Sequence, residues 1–355
     1  MIEEIFDCLL DEQRDLTEEE ASKCMEDLIL GNCNDYIFAG FLIALRIKGE
    51  SIPEITGFAK TMASYGRHVD YVPKGYLLDV CGTGGDNFKT FNVSTAASII
   101  AAAGGAEISK HGNRSVSSKC GGADVLEALG VNIMPDPEVN SYSLEHCNYG
   151  FLFAPKYHPA TKNVMGIRKS LGTRTVFNLL GPLTCPSNLN AQFTGIYDPD
   201  LIENIAEVLV NLGRKRAMVL HGFDNEGNPA MDEISIIGKT KVAFINHGKI
   251  RVDYISPETF GCNSVNPDYI RAPESKDDHV KIIKNILVNK QDTDKDKARL
   301  DLACMNSAGI LYVADKVKSL DEGFNYSKEL IKDNSAYDEL DKIKYYCNLS
   351  LDDLN

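Results

Sequence analysis

The sequence predicts an α/β protein: a mostly parallel sheet flanked by helices, preceded by a smaller all-helical region. Three observations predict it. The first ~70 residues carry apolar stripes at helical spacing between good cap residues. From about residue 75 the pattern becomes strand–loop–helix alternation, which builds parallel sheets with ligands at the carboxyl ends of the strands. At the first strand-to-helix junction stands Gly82-Thr83-Gly84-Gly85-Asp86, a turn whose glycines let backbone N–H groups approach an anion.

In chain order, Thr17 and Glu20 form a capping box before the stripe Ala21, Cys24, Met25, Leu28, Ile29, with Gly31 as the stop. Asn34 caps a second helix bearing Ile37, Phe38, Phe41, Leu42 and Leu45, ended near Gly49. Pro53 suits the first turn of a third, with Ile55, Phe58, Ala59 and Met62 on one face. Strands are expected at 76–80, 106–108, 151–154, 192–197 and 216–221, and helices at 94–103, 122–129, 137–147 and 199–212. Residues 158–182 interrupt the alternation with a helical insert. Residues 234–255 read as short antiparallel strands turning at Gly238 and at His247-Gly248. The run 289–299 reads as a charged, solvated loop, and the tail as helical.

The 355 residues include 37 basic and 51 acidic side chains, a net charge of −14. That balance argues against a nucleic-acid or anionic-membrane binder, which needs a basic face. Ten cysteines show no CxxC spacing and follow no signal peptide, so reduced thiols in a cytoplasmic protein are expected. No apolar run is long enough to span a bilayer.

The candidate chemistry lies in two neighbouring segments. The glycine turn is followed by the hydroxyls of Thr90, Ser94 and Thr95, with a helix starting at about Ser94. Then Lys110, His111, Arg114 and Lys119 fall within ten residues, interleaved with Asn113, Ser115, Ser117 and Ser118 and flanked by Gly112 and Gly121-Gly122. A solvated basic loop is the plain alternative. The density of hydroxyls, amides and glycines points instead to a groove for a polyphosphate and a polar ring.

With GTGGD followed by NVST, then KHGNR, the sequence resembles the anthranilate phosphoribosyltransferases of tryptophan biosynthesis. Segments 158–186, 219–235 and 306–323 extend the resemblance from about Met1 to about residue 340. Pyrimidine nucleoside phosphorylases, similar in fold, lack the full set. A non-catalytic nucleotide-binding relative is a third reading. The resemblance implies a nucleoside phosphorylase/phosphoribosyltransferase type of fold. Its smaller domain, residues 1–70, is completed by 158–185, and its α/β domain comprises 75–157 and 190–355. It also implies a homodimer through the N-terminal helices.

The implied substrates are 5-phosphoribosyl 1-pyrophosphate (PRPP) and anthranilate, with Mg2+ as cofactor. For PRPP the matching positions are Gly82, Gly85, Asp86, Thr90, Asn92, Val93, Ser94 and Thr95, then Lys110, His111, Gly112, Asn113, Arg114, Ser115, Val116, Ser117, Ser118 and Gly122. Ser94, Asp232 and Glu233 match the metal ligands, all oxygen donors as a hard cation requires. Gly82, Asn113 and Arg168 match the anthranilate contacts, joined by His111, His158 and Pro182 at an aromatic entrance. Lys110, His111 and Arg168 are the implied catalytic positions.

Plainer roles stay open for several of them. Asp232-Glu233 has an ordinary acidic turn as its alternative, since Asp277-Asp278 and Asp352-Asp353 also occur, and only the surrounding HG…MDEIS pattern lifts the pair above that background. Arg168 has a solvated or salt-bridged alternative, His158 a turn or cap before Pro159, and His221 a structural one. Departures from the family pattern are Asn87 for glycine, Gly122 for serine, Cys185 for asparagine, and a longer stretch at 223–230.

Overall fold

The computed structural model describes residues 2–84, 88–114 and 120–354. It opens with helices α1 (Ile2–Asp11), α2 (Glu18–Leu30), α3 (Asp35–Lys48) and α4 (Ile52–Ser64). Their boundaries follow local chemistry. Thr17 accepts from the Glu20 N–H while the Glu20 carboxylate takes the Thr17 N–H, and Gly31 closes α2 at φ 73°. Asn34 caps α3 by accepting from the Tyr36 N–H at 2.9 Å.

The rest of the chain runs β1 (Leu77–Gly82), α5 (Val93–Ala103), β2 (Glu107–Gly112), α6 (Gly122–Ala128), α7 (Pro137–Cys147) and β3 (Tyr149–Phe153). The insert follows as α8 (Ala154–Tyr157), α9 (Lys162–Leu171) and α10 (Phe177–Leu180). Then come β4 (Ala191–Gly195), α11 (Ile202–Asn211), β5 (Arg216–Phe223), β6 (Pro229–Met231), β7 (Thr240–Asn246) and β8 (Lys249–Ile255). The chain closes with α12 (Lys276–Leu287), α13 (Asp294–Val313), α14 (Leu320–Lys332) and α15 (Ser335–Cys347).

The sheet order is β3-β2-β1-β4-β5-β7-β8, with β6 paired to β5. Strands β3 to β5 along this order are parallel, and β6, β7 and β8 join antiparallel. Alternation along β5 divides two cores. Met218 and Leu220 face the cluster built on α5 and α13, while Ala217 and Val219 face the cluster shared with α2, α3, α4 and α11. The insert joins the second cluster through Val164, Phe177 and Leu180, with the Phe177 ring edge-on to Phe38 at 6.1 Å. Among the described residues no helix is long and apolar enough to cross a membrane.

Two expectations are corrected. Residues 294–299 are the first turns of α13, not loop: Thr293 caps the helix with Asp296, and Asp294 and Asp296 complement its positive end. Lys110, His111 and Gly112 are the last residues of β2, which runs beyond the strand expected at 106–108. Strand geometry therefore sends the Lys110 and His111 side chains to opposite faces of the sheet.

Candidate active site

On the α5 side of the β2 end, Lys110 is buried, its Nζ donating to the Val80 carbonyl and lying 3.5 Å from Ser94 Oγ. Lys110 thus sits beneath the N-terminus of α5, where backbone N–H groups and the helix dipole favour an anion. Burial lowers its pKa, and the charge of Asp79 opposes that. Asn92 Oδ1 and Thr95 Oγ1, both buried, have no hydrogen-bond partner among the described residues. Orphaned polar atoms at a helix start mark a place for a polar ligand.

On the opposite face, His111 Nδ1–H donates to the Gly181 carbonyl at 3.2 Å, and its ring meets that of His158 edge-on at 5.1 Å. Nε2 of each histidine is buried without a partner among the described residues. The Pro182 carbonyl accepts from Gln192 Nε2 at 2.6 Å, which fixes the Gly181-Pro182 turn against the sheet. His111, His158 and Pro182 are therefore brought together. Arg168 projects from α9, half-buried, with its guanidinium 4.9 Å from the Phe177 ring centroid. It makes no ion pair among the described residues, and burial lowers its pKa. A half-buried cation suits an anionic ligand.

Asp232 and Glu233 both turn toward the loop after β1. Asp232 Oδ2 accepts from the Gly84 N–H at 2.8 Å, and Glu233 Oε1 from Thr90 Oγ1 at 3.1 Å. A regular strand would send adjacent carboxylates apart, but the backbone leaves β6 at Met231 and is irregular here. The two carboxylates, beside the Thr90 hydroxyl that Glu233 meets, offer oxygen donors on one side of that loop. That set fits Mg2+ carried in by phosphates, since this ion is usually held by one or two carboxylates plus the substrate.

Other expected positions fare differently. Arg114 is engaged by Glu127 at 2.8 Å and Asp124 at 2.7 Å, hydrogen bonds that raise its pKa further. The Asn113 side chain accepts from the Arg114 N–H at 2.7 Å. His221 is structural: its Nδ1–H donates to the Ile196 carbonyl at 2.7 Å and its Nε2 accepts from the Ala230 N–H at 3.2 Å. Val93 opens α5 in the core, and Gly112 ends β2. Gly85, Asp86, Asn87, Ser115, Val116, Ser117, Ser118 and Lys119 lie outside the described residues.

Sequence reasoning missed three supports. Asp79, fully buried in β1, accepts from the His111 N–H at 2.9 Å and from the Cys81 thiol at 3.2 Å. Burial pushes its pKa up to about 6, against the His111 hydrogen bond and the Lys110 charge. An acid inside an apolar strand was its available signal. Gln192 and Gly195 gave none.

Burial also lowers the pKa of His111 to about 3, with His158 adding to it, and that of His158 to about 4. The sign follows from proton counting. Below pH ~6.5 the unfolded chain protonates both histidines while the folded chain does not, so stability falls with falling pH, by about 1.4 kcal/mol per pH unit for each. Asp79 acts oppositely between about pH 6 and 4, because its folded pKa is raised. Thermal melts from pH 7 to 4 are expected to show a net acid loss, flattened in His158→Asn and steepened in Asp79→Asn. Unchanged slopes in both variants would place the acid sensitivity elsewhere.

The glycosyl transferase family a/b domain model matches residues 74–337, and the helical bundle domain model of the same family matches 3–66. The anthranilate phosphoribosyltransferase of Methanosphaera stadtmanae is 60% identical over 348 residues, covering 98% of this chain and 100% of that protein. The chain belongs to the anthranilate phosphoribosyltransferase family. The anthranilate phosphoribosyltransferase of Methanothermobacter thermautotrophicus is 43% identical over 98% of this chain and 97% of its own. Among solved structures, that of Thermus thermophilus superposes with a TM-score of 0.86 at 34% identity, covering 95% of this chain and 97% of the other. The Saccharomyces cerevisiae enzyme, in complex with PRPP and Mg, superposes with a TM-score of 0.84 at 26% identity, covering 98% and 97%.

Against the anthranilate phosphoribosyltransferase pattern, one departure has a visible consequence. A Cβ on Gly122 would stand 3.4 Å from Thr95 Oγ1. The serine common in the family would bring a hydroxyl beside Thr95. Cys185 is buried and its thiol donates to the Ser109 carbonyl at 3.6 Å, a packing role.

Proposed function

We propose that the chain transfers the phosphoribosyl group of PRPP to the amine of anthranilate. The products are N-(5-phosphoribosyl)anthranilate and pyrophosphate, and the reaction is the second step from chorismate toward tryptophan. The observation that supports this reading is the end of β2, where Lys110 faces the start of α5 and His111 faces the His158 ring and the Gly181 carbonyl of the insert. On this reading one strand end would separate a polyphosphate from an aromatic acid, with the anomeric carbon between them.

In this reading the α5 N-terminus, Ser94, Thr95, Asn92 and Lys110 hold the phosphates and ribose, and Arg168 pairs bidentately with the anthranilate carboxylate. His111 Nε2 presents a lone pair to the aryl amine, because Nδ1 is spent on Gly181. A nitrogen with a pKa near 3 positions the amine by hydrogen bonding and is too weak a base to do more. Since an aryl amine is already unprotonated at neutral pH, orientation and charge stabilisation carry the rate. Asp232, Glu233 and Ser94 would hold Mg2+, which would supply positive charge against that of the pyrophosphate group.

The same proposal covers the assembly. Residues 1–70 with 158–185 make the smaller domain, and 75–157 with 190–355 the α/β domain. Tyr36 and Ile47, 87% and 81% exposed, lie on one face of α3 and support a homodimer through the N-terminal helices. The expected location is the cytoplasm.

The test is loss of anthranilate fluorescence on incubation with PRPP and Mg2+. Phosphate-dependent release of a pyrimidine base instead would establish a nucleoside phosphorylase, and no turnover with either would establish a binding protein. Within this assay Arg168→Ala is expected to weaken anthranilate by about 1.5–3 kcal/mol, as for loss of one charge-assisted pair, and PRPP far less. Equal losses for both substrates would make Arg168 structural.

A further inference from the structure

The segment that presents Asp232 and Glu233 has a buried clamp at its exit. Asn306, on α13, is buried; its Oδ1 accepts from the Ile234 N–H at 2.9 Å, and its Nδ2 donates to the Ile234 carbonyl at 3.2 Å. The second Nδ2 hydrogen goes to the Leu302 carbonyl, one turn back in the same helix, at 2.9 Å. One primary amide thus fixes the peptide planes on both sides of Ile234, immediately after Glu233. Only a side chain with an acceptor and two donors does all three at once.

Upstream, the segment is held at Ala230, whose N–H donates to His221 Nε2 at 3.2 Å and whose carbonyl accepts from the Phe88 N–H at 3.0 Å. Between these ties the chain leaves β6 after Met231. An irregular segment keeps two adjacent carboxylates on one side only while its ends are fixed. We infer that Asn306 is a positioning residue for the metal site, setting the orientation of Asp232 and Glu233 without touching substrate or ion. This inference rests on the metal role proposed above for the two carboxylates.

The experiment uses the full chain, Mn2+ as the probe and electron paramagnetic resonance as the readout, with PRPP present. Asn306→Leu removes all three hydrogen bonds while keeping the branched shape of the side chain. Asn306→Ser keeps a hydroxyl that bonds back to the Leu302 carbonyl while releasing Ile234, and serves if the leucine variant does not fold. In a variant that melts cooperatively, Mn2+ binding is expected to weaken at least tenfold. The Mg2+ concentration for half-maximal turnover should rise equally, and the KM for anthranilate should change less than about twofold.

Unchanged Mn2+ binding in either folded variant overturns the inference, as does an equal rise in anthranilate KM. Asp232→Asn/Glu233→Gln is the control that separates the two levels. If the control binds Mn2+ like the parent, the metal role itself fails and the inference with it. If the control loses Mn2+ while the Asn306 variants keep it, only the inference fails.

Discussion

Gly195→Ala is expected to abolish most turnover although Gly195 is given no contact with either substrate. Gly195 ends β4, pairs with Gly82 at the end of β1, and accepts from the Thr83 N–H at 3.0 Å. A Cβ there would overlap the Asp232 carbonyl and come within 2.9 Å of the Asp232 Cα. Backbone cannot rotate away as a side chain can, so either the strand end or the acidic segment must move. Gly82 has the same constraint from above, its Cβ position lying 2.8 Å from Asp232 Cγ. Overpacking of this kind costs about 1–3 kcal/mol of stability, more where backbone must shift. Activity at parental Mg2+ is expected to fall on the order of 100-fold, a little under 3 kcal/mol in the barrier. Melts and Mg2+ titrations check it, and a variant with parental melting and parental turnover would show that the acidic segment tolerates displacement.

Asp232→Ala/Glu233→Ala is expected to fold and to lose magnesium-dependent turnover. The two carboxylates meet the loop after β1 at Gly84 and Thr90, so their removal spares both hydrophobic cores. Without them the charge developing on pyrophosphate is left to Lys110 and the α5 N–H groups. A loss on the order of 10³-fold, roughly 4 kcal/mol, is the scale for removing metal stabilisation of a leaving group. Anthranilate binding should survive, because Arg168, His111 and His158 are untouched. A magnesium titration of turnover beside a thermal melt is the measurement. Parental activation by magnesium in the well-folded double variant would remove both residues from the metal site.

Local chemistry explains which elements were legible. The Thr17–Glu20 box, Gly31, Asn34 and Pro53 act through bonds to residues at most a few positions away, so they speak in the sequence and recur in the structure. The strands from β1 to β5 were legible because both faces are buried and their apolar runs are bounded by glycine and polar turns. Lys110-His111-Gly112 fell outside the strand expected at 106–108 because nothing in a polar tripeptide shows that Phe151, Leu152 and Phe153 of β3 pair with it. The run 289–299 was read by its charge, and the Thr293–Asp296 cap inside it passed unnoticed.

By itself the sequence determined the order of elements, the glycine turn before α5 and the inventory of anion-binding and oxygen-donor side chains, because these depend on neighbours along the chain. Tertiary structure alone decided how that inventory is sorted. Pairing of β2 into the sheet places Lys110 and His111 on opposite faces. Burial makes the two histidines neutral and raises the pKa of Asp79. Glycines from β1 and β4 leave room for Asp232, and Asn306, 72 residues on from Ile234, ties down the segment's exit. Each of these is a contact between segments far apart in the chain, and the energy of such a contact belongs to the pair in space rather than to either residue in its local sequence.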